Sequence, residues 1–307
     1  MGLRRAVPFQ GIIPILQTPF DEAGALDLDS LHSEIEFSVR AGVHGMVVPA
    51  NASEFFTLSD AERMQVTEAV LDRVHGRVPV IVSVNGVSSH AAVGFTRHAI
   101  EHGADDVMAL PPYVRRSGEA GVHAYYEAVA DAADGRPVII QNAEPPLGTP
   151  LAIPSLVRLI ERAPTIRYVK EEVNPGGHRM TALLRAAGDR LDGVFGGLNG
   201  IWLLGELDRG ACGNMPNCAL VDVQVRTYTL YREGQRDEAE ALHLRLLPLL
   251  VLGSQYGVAF AKEVLWRRGV LRTKFARDPQ AAALDDHDVA ELERYLAAVR
   301  PSMVAGA

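Results

Sequence analysis

The 307-residue sequence contains little cysteine and no apolar run long enough to span a membrane. Its only two cysteines, Cys212 and Cys218, provide no disulfide framework, which predicts a reducing, cytoplasmic location. The net charge of -8 and the pI near 5.7 argue against a nucleic-acid partner, since no basic stripe is available to meet phosphates. Pro8, Gln10 and Pro14 interrupt the first apolar stretch, so we expect neither a signal peptide nor a membrane partner.

Lysine is also scarce, because only three of the 30 basic residues are lysines. Lys170 ends the segment Ile166–Val169, whose β-branched and aromatic residues predict a buried strand. Lys262 and Lys274 lie in charged sequence near the C-terminus, typical of helices or loops. An arginine stays charged, whereas a desolvated lysine can lose its proton and act as a nucleophile. The alternative is a buried ion pair between Lys170 and Glu171–Glu172.

Short apolar segments alternate with amphipathic stretches of helical length through the first 220 residues. Eight such units predict a (β/α)₈ TIM barrel at 1–220, followed by a C-terminal helical region at 221–307. The motif G-x-G-x-x-G does not follow the first segment, which disfavours a dinucleotide-binding sheet. Ser59–Glu62 has the residues of a helix start. The predicted strands are 12–16, 45–48, 78–84, 106–110, 138–140, 166–169, 193–195 and 211–215, and the predicted C-terminal helices are 221–232, 237–252, 258–268 and 287–298.

The active site of such a barrel lies at the C-terminal ends of its strands. Lys170 ends the sixth predicted strand, and this placement favours a catalytic lysine over a structural ion pair. The other polar or small residues at these strand ends are Thr18, Asn51, Ser53, Glu54, Asn85, Tyr113, Gln141, Asn142, Gly197, Asn199, Asn214 and Met215.

Four motifs in this order resemble those of the dihydrodipicolinate synthase and N-acetylneuraminate lyase family. They are Thr18-Pro19-Phe20, Ala50-Asn51-Ala52-Ser53-Glu54, Pro111-Pro112-Tyr113 and Val169-Lys170-Glu171. The family consists of class I lyases that handle pyruvate on a (β/α)₈ barrel with a C-terminal helical region. The resemblance extends over essentially the whole chain.

By this resemblance Lys170 forms a Schiff base with the 2-oxo group of a small-molecule substrate, without a cofactor or metal. The imine would serve as an electron sink for the carbanion formed at C3. The backbone N–H groups of Asn51, Ala52 and Ser53 would hold the 1-carboxylate. Tyr113 resembles the family's relay tyrosine, although it could simply form a pocket wall. The resemblance also implies a homotetramer, with Tyr113 at or across a subunit contact.

The sequence departs from the family pattern at the fifth strand. Gln141 occupies the position of the second relay tyrosine, and an amide transfers no proton at useful pH. The arginine that dihydrodipicolinate synthases use for the aldehyde substrate falls near Pro145–Leu147, where the sequence has none. These departures, together with Phe55-Phe56, favour branches that dehydrate or cleave 2-keto-3-deoxy sugar acids. Gln141, Asn142, Asn199 and Asn214 suit a substrate with several hydroxyls, and Gly197 and Met215 complete the predicted binding residues.

Several points remain open at this stage. The proton carrier is Ser53, Tyr113, Glu171 or a bound water. A pyruvate-condensing synthase of the dihydrodipicolinate type and a non-catalytic barrel that binds a 2-oxo acid are the alternatives. His98 and His102 are four residues apart on a predicted helix, but the sequence shows no third ligand, so we expect a surface helix and no metal.

Overall fold

In the computed structural model, which describes residues 9–115, 117–144 and 148–304, eight parallel strands are flanked by helices. The strands are β1 (Gly11–Ile12), β2 (Met46–Val48), β3 (Val80–Ser83), β4 (Asp106–Ala109), β5 (Val138–Asn142), β6 (Ile166–Glu171), β7 (Gly193–Gly196) and β8 (Gly213–Asn214). Each strand from β2 to β7 pairs with the next one along the chain, and β8 pairs with β1. At the two ends of this order, the N–H of Val47 donates to the carbonyl of Pro14 at 2.8 Å and the N–H of Leu16 donates to that of Val47 at 3.0 Å. This curled parallel sheet is consistent with the predicted (β/α)₈ barrel.

Helices follow the strands in the predicted alternation. They are α1 (Leu28–Arg40), α2 (Asp60–Val74), α3 (Ser89–Glu101), α4 (Glu119–Ala132), α5 (Ile153–Arg162), α6 (Gly176–Ala187), α7 (Leu203–Leu207), α8 (Val221–Arg232), α9 (Arg236–Tyr256), α10 (Val258–Arg267) and α11 (Asp286–Val299). The predicted start of α2 is confirmed: Ser59 accepts from the N–H of Glu62, whose side chain accepts from the N–H of Ser59. No helix among residues 9–115, 117–144 and 148–304 is long and apolar enough to cross a membrane.

Side chains of successive strand residues point to opposite faces of the sheet, so an apolar core forms on each face. Ile139 and Tyr168 belong to a cluster inside the sheet, whereas Ile140 and Val169 pack in the larger cluster between the sheet and the helices. The next residues of β5 and β6 continue this alternation. Gln141 and Lys170 are therefore expected on the inner face, whereas Asn142 and Glu171 face the helices.

The C-terminal helices are tied to the sheet by a buried ion pair. Lys262 on α10 is fully buried, contacts the carboxylate of Glu54 and donates to the carbonyl of Phe275 at 2.8 Å. Lys262 lies on a helix, as its charged sequence context predicts, but it is as buried as Lys170. Burial lowers the pKa of Lys262, and the adjacent Glu54 carboxylate opposes that shift. The helical region begins at Val221, and its separation as a domain stays a prediction.

Candidate active site

Lys170 and Glu172 form a buried pair at the end of β6. Lys170 is only 2% exposed, and its Nζ lies 3.2 Å from Oε1 of Glu172. Gln141, which is in register with Lys170, donates from Nε2 to Oε2 of Glu172 at 2.7 Å. The backbone N–H of Leu198 donates to Oε1 of Glu172 at 3.2 Å. A carboxylate is therefore fixed at three points beside the predicted nucleophile.

Glu171 belongs to a different network behind the strand. Asn142 Nδ2 donates to both of its carboxylate oxygens, at 3.1 and 3.0 Å, and Arg179 Nε lies 3.1 Å from Oε1. Burial raises the pKa of Glu171, and the Arg179 charge and these hydrogen bonds oppose that shift. Asn142 also accepts from the N–H of Leu151 at 2.8 Å. The geometry therefore argues against Asn142 as a substrate ligand and Glu171 as the proton carrier, because both are occupied on the helix side of β6.

Two glycines at the end of β7, Gly196 in the strand and Gly197 directly after it, make room for carboxylates. A Cβ on Gly197 would lie 2.2 Å from Oε1 of Glu172, and a Cβ on Gly196 would lie 1.8 Å from Oε2 of Glu206. Glu206, on α7, accepts from Asn214 Nδ2 at 3.0 Å. Burial raises the pKa of Glu206 to about 7; the Asn214 hydrogen bond opposes this, and the negative charge of Glu172 adds to it. Gly197, a predicted substrate-binding residue, has the side chain of Glu172 as its close neighbour.

The turn after β2 is a 3₁₀ turn at Asn51–Ser53. The Ser53 hydroxyl donates to the carbonyl of Leu16 at 2.5 Å and accepts from the N–H of Ala50 at 3.0 Å. The N–H of Ser53 donates to the carbonyl of Ala50 at 2.9 Å. The hydroxyl of Ser53 therefore stabilises the turn, which argues against this side chain as proton carrier or substrate ligand. Within the part of the chain that the structure describes, no hydrogen bond occupies the N–H groups of Asn51 and Ala52, which remain the candidates for holding a carboxylate.

Tyr113 lies beside this turn. Its ring packs edge-on against Phe55, with ring centroids 5.5 Å apart. Burial raises the pKa of Tyr113, and the positive charge of Arg63 partly offsets the shift. The phenol therefore stays protonated at neutral pH and is available as a hydrogen-bond donor. Its predicted relay role stays a prediction.

A cavity of about 380 Å³ lies between the strand ends and the helices α9 and α10. Leu198, whose N–H binds Glu172, also lines this cavity, together with the predicted binding residues Asn51, Ala52 and Asn199. Asn199 accepts from the N–H of Asn217 at 3.0 Å. Met215, by contrast, is 1% exposed and packs in the apolar cluster inside the sheet. Met215 therefore supports the site from below rather than facing the cavity.

Sequence reasoning missed Glu206 and gave Glu172 only a structural role. The alternative of a buried ion pair at Lys170 included Glu172, and the structure contains that pair. Residues 170 and 172 share one face of an extended strand, which is the sequence signal for this contact. Glu206 was overlooked, although it is an acid within the apolar run Ile201–Leu207. An acid in such a run is a sequence signal, because a carboxylate is rarely buried without a partner.

A known protein family matches most of the chain. The dihydrodipicolinate synthetase family matches residues 8–299. The chain belongs to this family. The match confirms the resemblance and the prediction of a lyase.

Two curated relatives indicate the breadth of the family. The chain is 34% identical over 274 residues to L-2-keto-3-deoxyarabonate dehydratase of Azospirillum brasilense, covering 88% of each protein. It is 30% identical over 247 residues to YjhH of Escherichia coli, named a probable 2-dehydro-3-deoxy-D-pentonate aldolase, covering 78% of this chain and 80% of that protein. The crystal structure of dihydrodipicolinate synthase from Rhodopseudomonas palustris is 27% identical, with a TM-score of 0.86 over 94% of this chain and 97% of that one.

Proposed function

We propose that this protein is a class I lyase that forms an imine between Lys170 and a 2-keto-3-deoxy sugar acid and eliminates water from it. The observation that carries the proposal is the Glu172 carboxylate, which lies 3.2 Å from the Lys170 amine while Gln141 and Leu198 fix its orientation. A general acid or base needs such a hydrogen-bonding distance to the reacting groups. The 34% identity to L-2-keto-3-deoxyarabonate dehydratase supports the same substrate class.

Imine formation is the first step. The substrate carboxylate binds the N–H groups of Asn51 and Ala52, which brings the 2-oxo carbon to Lys170. The amine attacks this carbon, and the carbonyl oxygen leaves as water after two proton transfers. Glu172 is placed to take a proton from the nitrogen and to return it to the leaving oxygen. The phenol of Tyr113 is the further donor that we propose for this step.

Elimination then uses the imine as an electron sink. Glu172 removes a proton from C3, and the electron pair of the C3–H bond moves into the protonated imine to give an enamine. The enamine pushes these electrons toward C4 as the C4–O bond breaks, and Glu172 gives the proton to the departing hydroxyl. One C3 proton and one C4 hydroxyl leave as water. Hydrolysis of the conjugated imine then frees Lys170 and the 2-oxo product.

Carbon–carbon cleavage is the second candidate, favoured by the 30% identity to YjhH. In that reaction Glu172 would take the proton of the C4 hydroxyl, and the C3–C4 bond would break to give an aldehyde and the enamine of pyruvate. A dihydrodipicolinate-type condensation is less well supported, because the sequence between Ala143 and Gly148 contains no arginine for a second carboxylate.

The test is borohydride trapping with peptide mass spectrometry, run with pyruvate and with a panel of 2-keto-3-deoxy sugar acids. We expect a reduced adduct on the Lys170 peptide, and loss of adduct and turnover in Lys170→Ala. Release of pyruvate and an aldehyde would show cleavage in place of dehydration. Condensation of pyruvate with an aldehyde would favour the synthase reaction. If no compound gave an adduct or turnover, the protein would be a barrel that only binds a 2-oxo acid.

We further propose that the closed (β/α)₈ barrel assembles as a homotetramer in the cytoplasm. The family membership supports this assembly. Light scattering of the purified protein tests it, and a monomeric mass would contradict it.

A further inference from the structure

A second cluster of polar groups lies on the helix layer, where Glu68 of α2 meets His98 and His102 of α3. Oε1 of Glu68 lies 2.8 Å from Nε2 of His98 and 3.8 Å from Nε2 of His102. The two imidazole rings lie 4.2 Å apart between centroids. The ligand atoms of all three residues are within 4.8 Å of one another. The third ligand that the sequence does not show is therefore supplied by the neighbouring helix.

The hydrogen bonds of His102 leave the required lone pair available. Its Nδ1 lies 2.8 Å from the carbonyl oxygen of His98, so this nitrogen carries the proton and donates. In the neutral ring Nε2 then has a free lone pair, which is directed toward Glu68. A ring nitrogen fixed in this way by a backbone carbonyl is the usual arrangement of a metal-binding histidine. A cation between the three groups would take the place of the hydrogen bond between Nε2 of His98 and Oε1 of Glu68.

We propose that Glu68, His98 and His102 bind a divalent transition-metal ion, with zinc as the best fit. Two imidazoles four residues apart on one helix and one carboxylate form a three-ligand set that zinc accepts, with water completing a tetrahedron. Calcium and magnesium are disfavoured because they prefer all-oxygen ligands. The side chains of Glu68 and His102 are 45% and 41% exposed, so an ion can enter from solvent.

The position of the site assigns it a stabilising role. His98 and His102 lie at the C-terminal end of α3, and helices in this architecture run antiparallel to the strands. That end therefore lies near the N-terminal face of the sheet, away from Lys170. An ion shared by Glu68 and the two histidines joins α2 to α3 and stabilises the folded state that binds it. This inference is independent of the proposed enzymatic activity.

The test uses untagged, chelator-treated protein titrated with Zn²⁺ alone, followed by calorimetry and thermal unfolding. We expect one ion per chain and a rise in Tm that depends on zinc concentration. Glu68→Gln, His98→Gln and His102→Gln should each weaken binding by at least about tenfold. Bound Co²⁺ should show the visible absorption of a tetrahedral site in the parent protein and lose it in the three variants.

The matched control is His90→Gln, which changes an exposed histidine in the first turn of the same helix. This variant should bind zinc as the parent does. Circular dichroism establishes that every variant is folded before its affinity is compared. Absence of stoichiometric binding in the parent would overturn the proposal. Unchanged zinc binding in the Glu68, His98 and His102 variants would also overturn it. An equal loss of zinc affinity in His90→Gln would overturn it as well.

Discussion

Replacement of Glu172 by glutamine separates imine formation from the later proton transfers. The variant keeps the size of the side chain and one acceptor for Gln141 or Leu198, but it cannot exchange a proton. At 3.2 Å, and with an effective dielectric constant of about 20, the attraction between unit charges on Lys170 and Glu172 is about 5 kcal/mol. Removing the carboxylate removes this attraction. Glu172 also serves the proton transfers of imine formation in the proposed mechanism, so we expect Lys170 to form the imine more slowly but still detectably, with Tyr113 as the remaining donor.

The elimination steps should be slower, because general acid–base catalysis contributes about 10²- to 10⁴-fold. We expect kcat of Glu172→Gln to fall within that range, while borohydride still traps the substrate on Lys170. Steady-state turnover with the best sugar acid from the panel, together with single-turnover trapping, measures both quantities. Glu172→Asp is the matched variant, since it keeps the carboxylate and should recover part of the activity.

A second variant displaces Glu172 without changing its chemistry. In Gly197→Ala the new Cβ would lie 2.2 Å from Oε1 of Glu172, so the carboxylate must move. A shift of the carboxylate by about 1 Å should lower kcat of Gly197→Ala on the order of 10²-fold.

Turnover of Glu172→Gln within about tenfold of the parent would refute the assignment of Glu172 as the proton carrier. Complete loss of the trapped adduct in Glu172→Gln would instead show that Glu172 is essential already for imine formation.

Two further predictions concern stability. Burial raises the pKa of Glu34 to about 7 from 4.5, so between these values the folded chain holds a proton that the unfolded chain releases. The contribution of Glu34 to stability should fall by about 3 kcal/mol as the pH rises from about 4.5 to about 7. Glu34→Gln should remove this part of the pH dependence in urea unfolding at several pH values, and an unchanged slope would contradict the assignment. Lys262→Met should cost about 3–5 kcal/mol, since it leaves the Glu54 carboxylate buried and unpaired, whereas the double variant with Glu54→Gln should recover much of the loss. Lys274→Met is the control and should cost less than about 1 kcal/mol, because Lys274 is half-exposed and its buried partner Glu263 keeps the ion pair with Arg267. Equal losses for both lysines would contradict the argument.

The alternation of strands and helices was predictable because its signals are local. β-branched segments such as Ile166–Val169 and the Ser59–Glu62 helix start depend on neighbouring residues alone. Lys170 could also be assigned to the strand ends, since the end of its segment is visible in the sequence. The structure agrees with these elements to within a few residues at their bounds.

The contacts between distant elements were not predictable in the same way. Lys262 is followed by Glu263 in a helix, a pattern typical of a surface, and its partner Glu54 lies 208 positions earlier. Whether Glu68 meets His98 depends on how far α2 is rotated relative to α3, and neither sequence segment specifies that rotation. The hydrogen bonds that Asn142 and Ser53 make within the protein were not predictable for a related reason. The position of a residue at a strand end does not show whether its side chain already makes hydrogen bonds within the protein.

The missing relay tyrosine has a physical explanation in this arrangement. Gln141 and Lys170 are paired in register on adjacent strands, so a group at 141 can reach the space beside the amine. From this position the amide of Gln141 donates a hydrogen bond to Glu172, two residues after the lysine. We infer that the proton-transfer function lies on the β6 side of this pair, while β5 supplies orientation. Gly197 is then required because the volume of a side chain there is taken by the carboxylate. On this inference, Gln141 and Gly197 both follow from the position of Glu172: the amide orients the carboxylate, and the glycine leaves room for it. A tyrosine introduced at position 141 would compete with Glu172 for this space instead of restoring a relay.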